Sequence, residues 1–335
     1  MLAATRELRA IRHAADLLEL APQWLALYER SEDASPFQHP DWVLPWREAF
    51  SGGELLCFGL WDGQTLVGLA PLFLHIWNGK RQVTFLGNGV SDRLGFLSER
   101  GSRERTQQEF FSALARESSR WDLCDLQDLP ANFLAPGPPS RGLQWTFEAQ
   151  GVCSKIELPR DAEEFRAGLP GGLRRNLRRY RDKLKLVGDT VFKSAETETE
   201  FLGALEALIM LHSARWNSQG QPGMLGSGLK RFHREAAARL WRRGKARCFT
   251  LSTFGRPLAA IYGFFDKGRF WSYQSGFDPE FAPYCPGSLI LDYAIAEAIR
   301  EGAREFDFLR GSERYKLDWG ARFESSYRLL LSHLA

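Results

Sequence analysis

Apolar residues along the 335-residue chain follow two different spacings. In ELLCFGLWDGQTLVGLAPLFL, residues 54–74, two apolar runs flank a turn at Gly63; in KARCFTLSTFGRPLAAIYGFF, residues 245–265, two runs flank Gly255. Apolar runs bounded by turn residues predict strand, tight turn, strand. Both segments contain Cys-Phe-x-Leu, at 57–60 and 248–251. Each follows a helical region and precedes further strand, so the chain reads as a tandem duplication. The first half is expected to cover 1–150, closing after the loop PGPPSRG (136–142), and the second 151–335.

The second half opens with a strand, VCSKIELP, and then changes period. Leu173, Leu177, Tyr180, Leu184 and Val187 recur at helical spacing and predict one buried stripe. Further helices are expected near 198–216 and over 229–244, the latter closed by Gly244. Strands follow at 246–253, 257–265 and 269–275. The loop GFDPEFAPYCPG leads into a helix at 288–301, then a strand at 305–309 and a final strand, SYRLLLS. Intermixed helices and strands place the fold in the α/β or α+β class.

Composition narrows this picture modestly. With 44% apolar and 13% aromatic residues the chain can bury a sizeable core, and a net charge of +3 argues for no nucleic acid by itself. The five cysteines form no CxxC pair, zinc ligand set or disulfide framework, so they are expected to be reduced and metal-free. Neither a signal core nor an apolar run of about 18 residues is present, which predicts a cytoplasmic protein. Charge matters locally. Arg174, Arg175, Arg178, Arg179, Arg181, Lys183 and Lys185 surround the helical stripe, offset only by Asp182. Such a face attracts anions: a phosphate-bearing ligand, which Arg175 and Arg179 would hold, or RNA, or an anionic membrane surface. A merely solvated face is the alternative.

Chemistry concentrates between 284 and 319. A helix entered through Pro286-Gly287-Ser288 exposes backbone N–H groups to a phosphate, or is simply capped by its serine. Neither a P-loop nor the full Rossmann glycine pattern is present. Here the sequence resembles the GNAT acyltransferases, and within them the group named for CelD, linked to cellulose and other polysaccharide synthesis and distantly to Fem-type aminoacyltransferases. The likeness is carried by Tyr284-Cys-Pro-Gly287-Ser288, Gly302, Phe306-Asp307-Phe308, Gly311, Glu313, Tyr315-Lys316 and Trp319. SPFQHPDW (35–42), FLGNGVSDRLGFL (85–97) and LHSARWNSQGQPGML (211–225) add to it. The GNAT signature Arg/Gln-x-x-Gly-x-Gly/Ala does not precede the helix.

The resemblance implies two tandem GNAT-like domains, each a mixed sheet flanked by helices, with the second one active. It implies an acyl-CoA such as acetyl-CoA as co-substrate, held by Tyr284, Pro286, Gly287, Ser288 and Arg310. The acceptor would be an amine on a small-molecule, lipid-linked or nucleotide-linked sugar of the cell envelope or an exopolysaccharide, and polysaccharide-synthesis machinery would be a partner. Acyl transfer to an amine needs a base, a stabilised oxyanion and an acid for the thiolate. Glu313 and Asp307 are the nearest carboxylates, Tyr315 and Tyr284 the candidate acids and Lys316 or Arg310 the candidate cation, with Asp307 expected off the core face. His212 and Trp216, four apart on one helix, are candidates for lining an acceptor pocket. Asp92, in a polar turn with Asn88 and Ser91, is another. The competing readings are a Fem-like transferase using aminoacyl-tRNA and a non-catalytic scaffold in polysaccharide synthesis.

Overall fold

A computed structural model describes residues 6–50, 52–135, 137, 142–218 and 227–334. The chain divides into two compact units, Met1–Gly151 with Ser325–Ala335, and Val152–Glu324.

The first unit begins β1 (Arg6–Ile11), α1 (Ala14–Glu19), α2 (Ala21–Arg30), α3 (Pro40–Ala49). Short β2 (Glu54–Leu55) precedes the hairpin β3 (Cys57–Asp62) and β4 (Thr65–Ala70), then β5 (Leu72–Trp77) and β6 (Lys80–Phe85). Next come β7 (Leu97–Ser98), α4 (Arg103–Arg116) and β8 (Leu123–Leu129). Pro71, which lacks an N–H, separates β4 from β5. As a result β4 joins a sheet ordered β1-β3-β4-β7, while β5 pairs with β6. β6 and β8 run parallel, paired at Gln82↔Leu123 and Val83↔Cys124.

β9 (Leu143–Glu157) leads into the second unit. There follow α5 (Ala162–Gly168), α6 (Gly171–Lys185), β10 (Thr190–Ser194), α7 (Glu198–Ser218) and α8 (Ser227–Arg242). The meander β11 (Ala246–Thr253), β12 (Arg256–Asp266), β13 (Arg269–Phe277) precedes α9 (Pro286–Arg300), β14 (Glu305–Arg310), α10 (Arg314–Asp318) and β15 (Arg322–His333). Strand order in this unit is β10-β11-β12-β13-β14-β9. The second unit thus repeats the first: hairpin, third strand, helix, parallel strand. Parallel and antiparallel strands flanked by helices make the chain the α/β protein expected.

The final strand departs from the expected boundary. From Tyr327↔Leu129 to Ser332↔Leu123 it pairs antiparallel with β8, and Arg328 grips buried Asp125 through Nε (2.7 Å) and Nη2 (2.9 Å). Residues 325–335, expected with the second half, therefore belong to the first unit.

Both faces of the second unit's sheet are covered. Phe249, Ile261, Phe270, Phe306 and Phe308 pack with Leu289, Ile295 and Ala298 of α9 and with Leu177 and Leu184 of α6. Of the expected stripe Leu177 and Leu184 are buried and Leu173 and Tyr180 partly so, while Val187 lies past the end of α6. On the other face α7 lies over β11–β13, and Phe201 stacks on Trp241 of α8 and meets Tyr262 edge-on.

Candidate functional site

Two strands part beside a helix start. β13 and β14 are parallel but pair only from Arg269↔Glu305 to Trp271↔Asp307. Beyond that point β14 carries a bulge, with Leu309 left-handed (φ 60°). The Leu309 N–H donates to Asp307 Oδ1 (2.8 Å) and closes the bulge. Strand β8 of the first unit has the same feature at Asp128 (φ 59°). There, however, the loop after β6 returns, and the Leu94 N–H donates to the Asp128 carbonyl (3.0 Å). In the second unit the connection is a short 3-10 turn, Pro279–Tyr284, whose backbone bonds run to Leu258 and within itself.

That turn delivers α9. Its N-cap is Cys285, left-handed at φ 49°, with Pro286 at the first helical position. Ser288, expected as the cap, sits inside the first turn and its N–H donates to the Cys285 carbonyl (3.0 Å). No side chain caps the helix, so the dipole's positive end is unneutralised by the chain. A Cβ built on Gly287 would meet only the Phe277 ring, at 3.5 Å. The Gly287 backbone is therefore approachable, which fits a pyrophosphate. Tyr284 lies beside it, half-buried, its ring 5.8 Å from that of Phe281.

The basic helix is tied to this helix start. Tyr180 reaches Cys285 and Arg179 with its hydroxyl, and the Cys285 contact, with partial burial, raises the phenol above its usual range. The Arg179 guanidinium lies over the Tyr180 ring at 5.3 Å. The next residue, Arg181, pairs with Asp292 of α9, a carboxylate 2% exposed that also receives Arg166 Nε and Nη2, both at 3.1 Å. Arg181 is thus structural. Among the described residues Arg174, Arg175, Arg178, Arg179, Lys183 and Lys185 enter no ion pair. Asp292 was missed in the sequence, although a lone carboxylate inside LILDYAIA is the mark of a buried partner.

Past β14 the expected polar loop contains α10. Gly311 is left-handed (φ 118°), and a Cβ there would sit 2.2 Å from the Glu313 carboxylate, so only glycine fits. Lys316, expected as a reacting cation, is 2% exposed. Its Nζ donates to the carbonyls of Arg310 (2.9 Å) and Gly311 (3.2 Å) and pairs with Glu313 (2.9 Å). All three ammonium donors are engaged, so this geometry makes Lys316 and Glu313 a staple of the loop. Tyr315 is half-exposed, its ring 6.4 Å from that of Phe308. Arg310 is exposed at the end of β14. Asp307 does alternate with Phe306 and Phe308, yet it is wholly buried, so that side of β14 is covered too.

The other candidates lie apart from this cluster. His212 is buried in α7, directly over β13. Trp216 lies outside the residues whose side chains are described. Asp92 belongs to the first unit, in the loop where buried Ser91 accepts from Trp42 Nε1 (3.0 Å). His233 of α8 is buried, and desolvation together with neighbouring His212 pushes it down to about 3. Its unfolded value is about 6.5, so between these values the unfolded chain takes the proton and the folded one does not. Stability contributed by neutral His233 is complete above the unfolded value and is lost as pH falls toward the folded one. The urea midpoint is expected to drop between about pH 7 and about pH 4.5, and His233→Gln to remove part of that drop. Five free cysteines are present; burial pushes the Cys57 thiol up to about 12 and those of Cys124 and Cys248 higher still, so these three are inert packing groups. Among the described residues no His, Cys, Asp and Glu cluster has metal-holding geometry, and no helix is long and apolar enough to cross a membrane.

The parted strands and the open helix start both lie within residues 171–317, which match the family model of the acetyltransferase (GNAT) domain. FemX is similar in structure, with a TM-score of 0.68 at 10% identity, over 98% of this chain and 97% of that one. The C-terminal domain of a protein from Agrobacterium fabrum, named for lysylphosphatidylglycerol synthesis, has a TM-score of 0.59 at 10% identity over 94% and 92%. A tandem GNAT protein from the clavulanic acid biosynthesis pathway has 0.50 at 14% identity over 98% of both. No curated protein sequence matches the chain.

Proposed function

We propose that the second unit is an N-acyltransferase that moves an acyl group from acyl-CoA to an amine on a cell-envelope or exopolysaccharide precursor. The observation that carries this reading is the uncapped start of α9 beside the parted strands β13 and β14. A CoA thioester supplies the activated acyl group. The Gly287 amide and the helix dipole would hold its pyrophosphate, with Arg179 alongside, placed by Tyr180. The parted backbone beyond Trp271 and Asp307 offers unpaired groups along which an extended chain can lie. Tyr315, at the mouth of β14, would hold the proton delivered to the departing thiolate. Lys316 and Glu313 keep Tyr315 in place by fixing the loop.

The test separates folding from donor binding. Gly287→Ala adds a methyl at ordinary contact distance from Phe277, so the unfolding temperature is expected to stay unchanged. The same methyl obstructs approach to the backbone, and acetyl-CoA affinity, measured by calorimetry, should fall about tenfold. Free-thiol release against amino-sugar acceptors should fall with it. A folded wild-type protein that shows no heat with acetyl-CoA or longer acyl-CoAs would sink the donor assignment. The six unpaired cations of α6 favour a second reading, in which aminoacyl-tRNA is the donor. Steeply salt-dependent tRNA binding, with no CoA binding, would establish that reading instead.

A further inference from the structure

The hairpin tip between β11 and β12 is built against its own interest. Phe254 and Gly255 form a two-residue turn with both φ angles positive, 47° and 75°. Such turns favour Asn, Asp or Gly at the first position, and the matching hairpin of the first unit has Gly63 there (φ 59°). Phenylalanine in the left-handed region is strained. Its ring is also 78% exposed. Two unfavourable choices at one residue point to a use outside the folded chain.

The surroundings indicate what that use is. The Phe254 ring lies on Gly188, just past the end of α6, where a Cβ would come within 2.2 Å of it. Two residues earlier Leu186 is 89% exposed, and nearby on β10 Val191 is 51% exposed. At about 100° per residue, Leu186 falls among Arg174, Arg175, Arg178, Arg179, Lys183 and Lys185, which together cover roughly half the helix circumference. Asp182 and Asp189 are the acids exposed on the same stretch. A cationic helix face with an aromatic and an aliphatic tip matches an anionic lipid surface: the cations meet headgroups while Phe254 and Leu186 enter the acyl boundary. A nucleic acid would use the cations and the ring but has no use for exposed Leu186 and Val191.

We infer that α6 with Leu186, Val191 and Phe254 docks the protein on anionic phospholipid bilayers. The inference does not depend on the identity of the acyl donor. It is tested by sedimenting the full chain with vesicles of phosphatidylcholine alone and of phosphatidylcholine with a minority of phosphatidylglycerol. Binding is expected to the mixed vesicles only and to weaken with added NaCl. Phe254→Gly gives the turn the residue it prefers, so the unfolding temperature should hold or rise, while vesicle affinity falls about tenfold. A residue serving the fold alone would show the opposite. The triple variant Arg174→Gln, Arg178→Gln, Lys185→Gln removes three cations worth roughly fivefold each and should weaken binding about a hundredfold. Equal binding to both vesicle types, wild-type affinity in both variants, or binding to tRNA without sedimentation on anionic vesicles would each overturn it.

Discussion

Gly276→Ala is expected to destabilise the second unit by about 3 kcal/mol, the upper end for overpacking a tight contact. Gly276 lies in β13, and a Cβ there would come within 2.6 Å of the His212 nitrogen and 3.0 Å of its Cα. These are backbone atoms of α7, so no side-chain rotation relieves the clash; the helix must lift off the sheet. Lifting it would expose the aromatic layer of Phe201, Trp241 and Tyr262. The substitution therefore costs stability through the packing of α7 on the sheet. Gly203→Ala supplies the control, since that Cβ in α7 meets nothing within 4 Å. It should stabilise the helix by up to about 1 kcal/mol. Urea unfolding of the two variants measures both effects, and a wild-type midpoint for Gly276→Ala would refute the packing of α7 on β13.

Much of this architecture was legible in the apolar pattern. The paired strand–turn–strand segments around Cys57 and Cys248 are β3–β4 and β11–β12. The Leu177 and Leu184 stripe is buried, and the helix at 286–300 follows the Pro-Gly-Ser entry. What escaped depends on long-range partners. SYRLLLS reads as a strand, but no local signal says that it pairs with β8, because the bond of Arg328 to Asp125 joins residues 203 positions apart. The alternation rule placed Asp307 on the correct face of β14, yet it cannot tell a wet face from a covered one. Lys316 was a candidate cation because it stands beside Tyr315 in the motif, but no local signal gives its burial, in which Nζ donates to the carbonyls of Arg310 and Gly311. Pro286 carried usable information because its ring fixes φ at the first helical position, and Gly287 because it leaves the backbone bare, whereas the N-cap role of Cys285 follows only from the turn before it.

Asp292→Ala tests whether the basic helix is held at the donor site by design of the fold. Arg166 and Arg181 converge on this buried carboxylate from α5 and α6, and no other described carboxylate receives Arg181. Removing one partner of a buried ion pair leaves uncompensated charge and costs about 3 to 5 kcal/mol. Here the two arginines keep 28% and 36% exposure and can rehydrate, so the expected loss is about 3 kcal/mol, at the low end. The functional loss has a different origin. Without Asp292, α6 keeps only its apolar stripe and the contact of Tyr180 with Cys285 to fix its axial position on α9. A slide of α6 along α9 would carry Arg179 away from Gly287, and acetyl-CoA affinity should fall about tenfold beyond what unfolding explains. Asp292→Asn keeps the shape and one acceptor oxygen, so it should retain more donor affinity than the alanine variant despite losing the charge. If the two variants bind acetyl-CoA equally weakly, the carboxylate acts through its charge alone. If both bind like the wild type, α6 contributes nothing to the donor site.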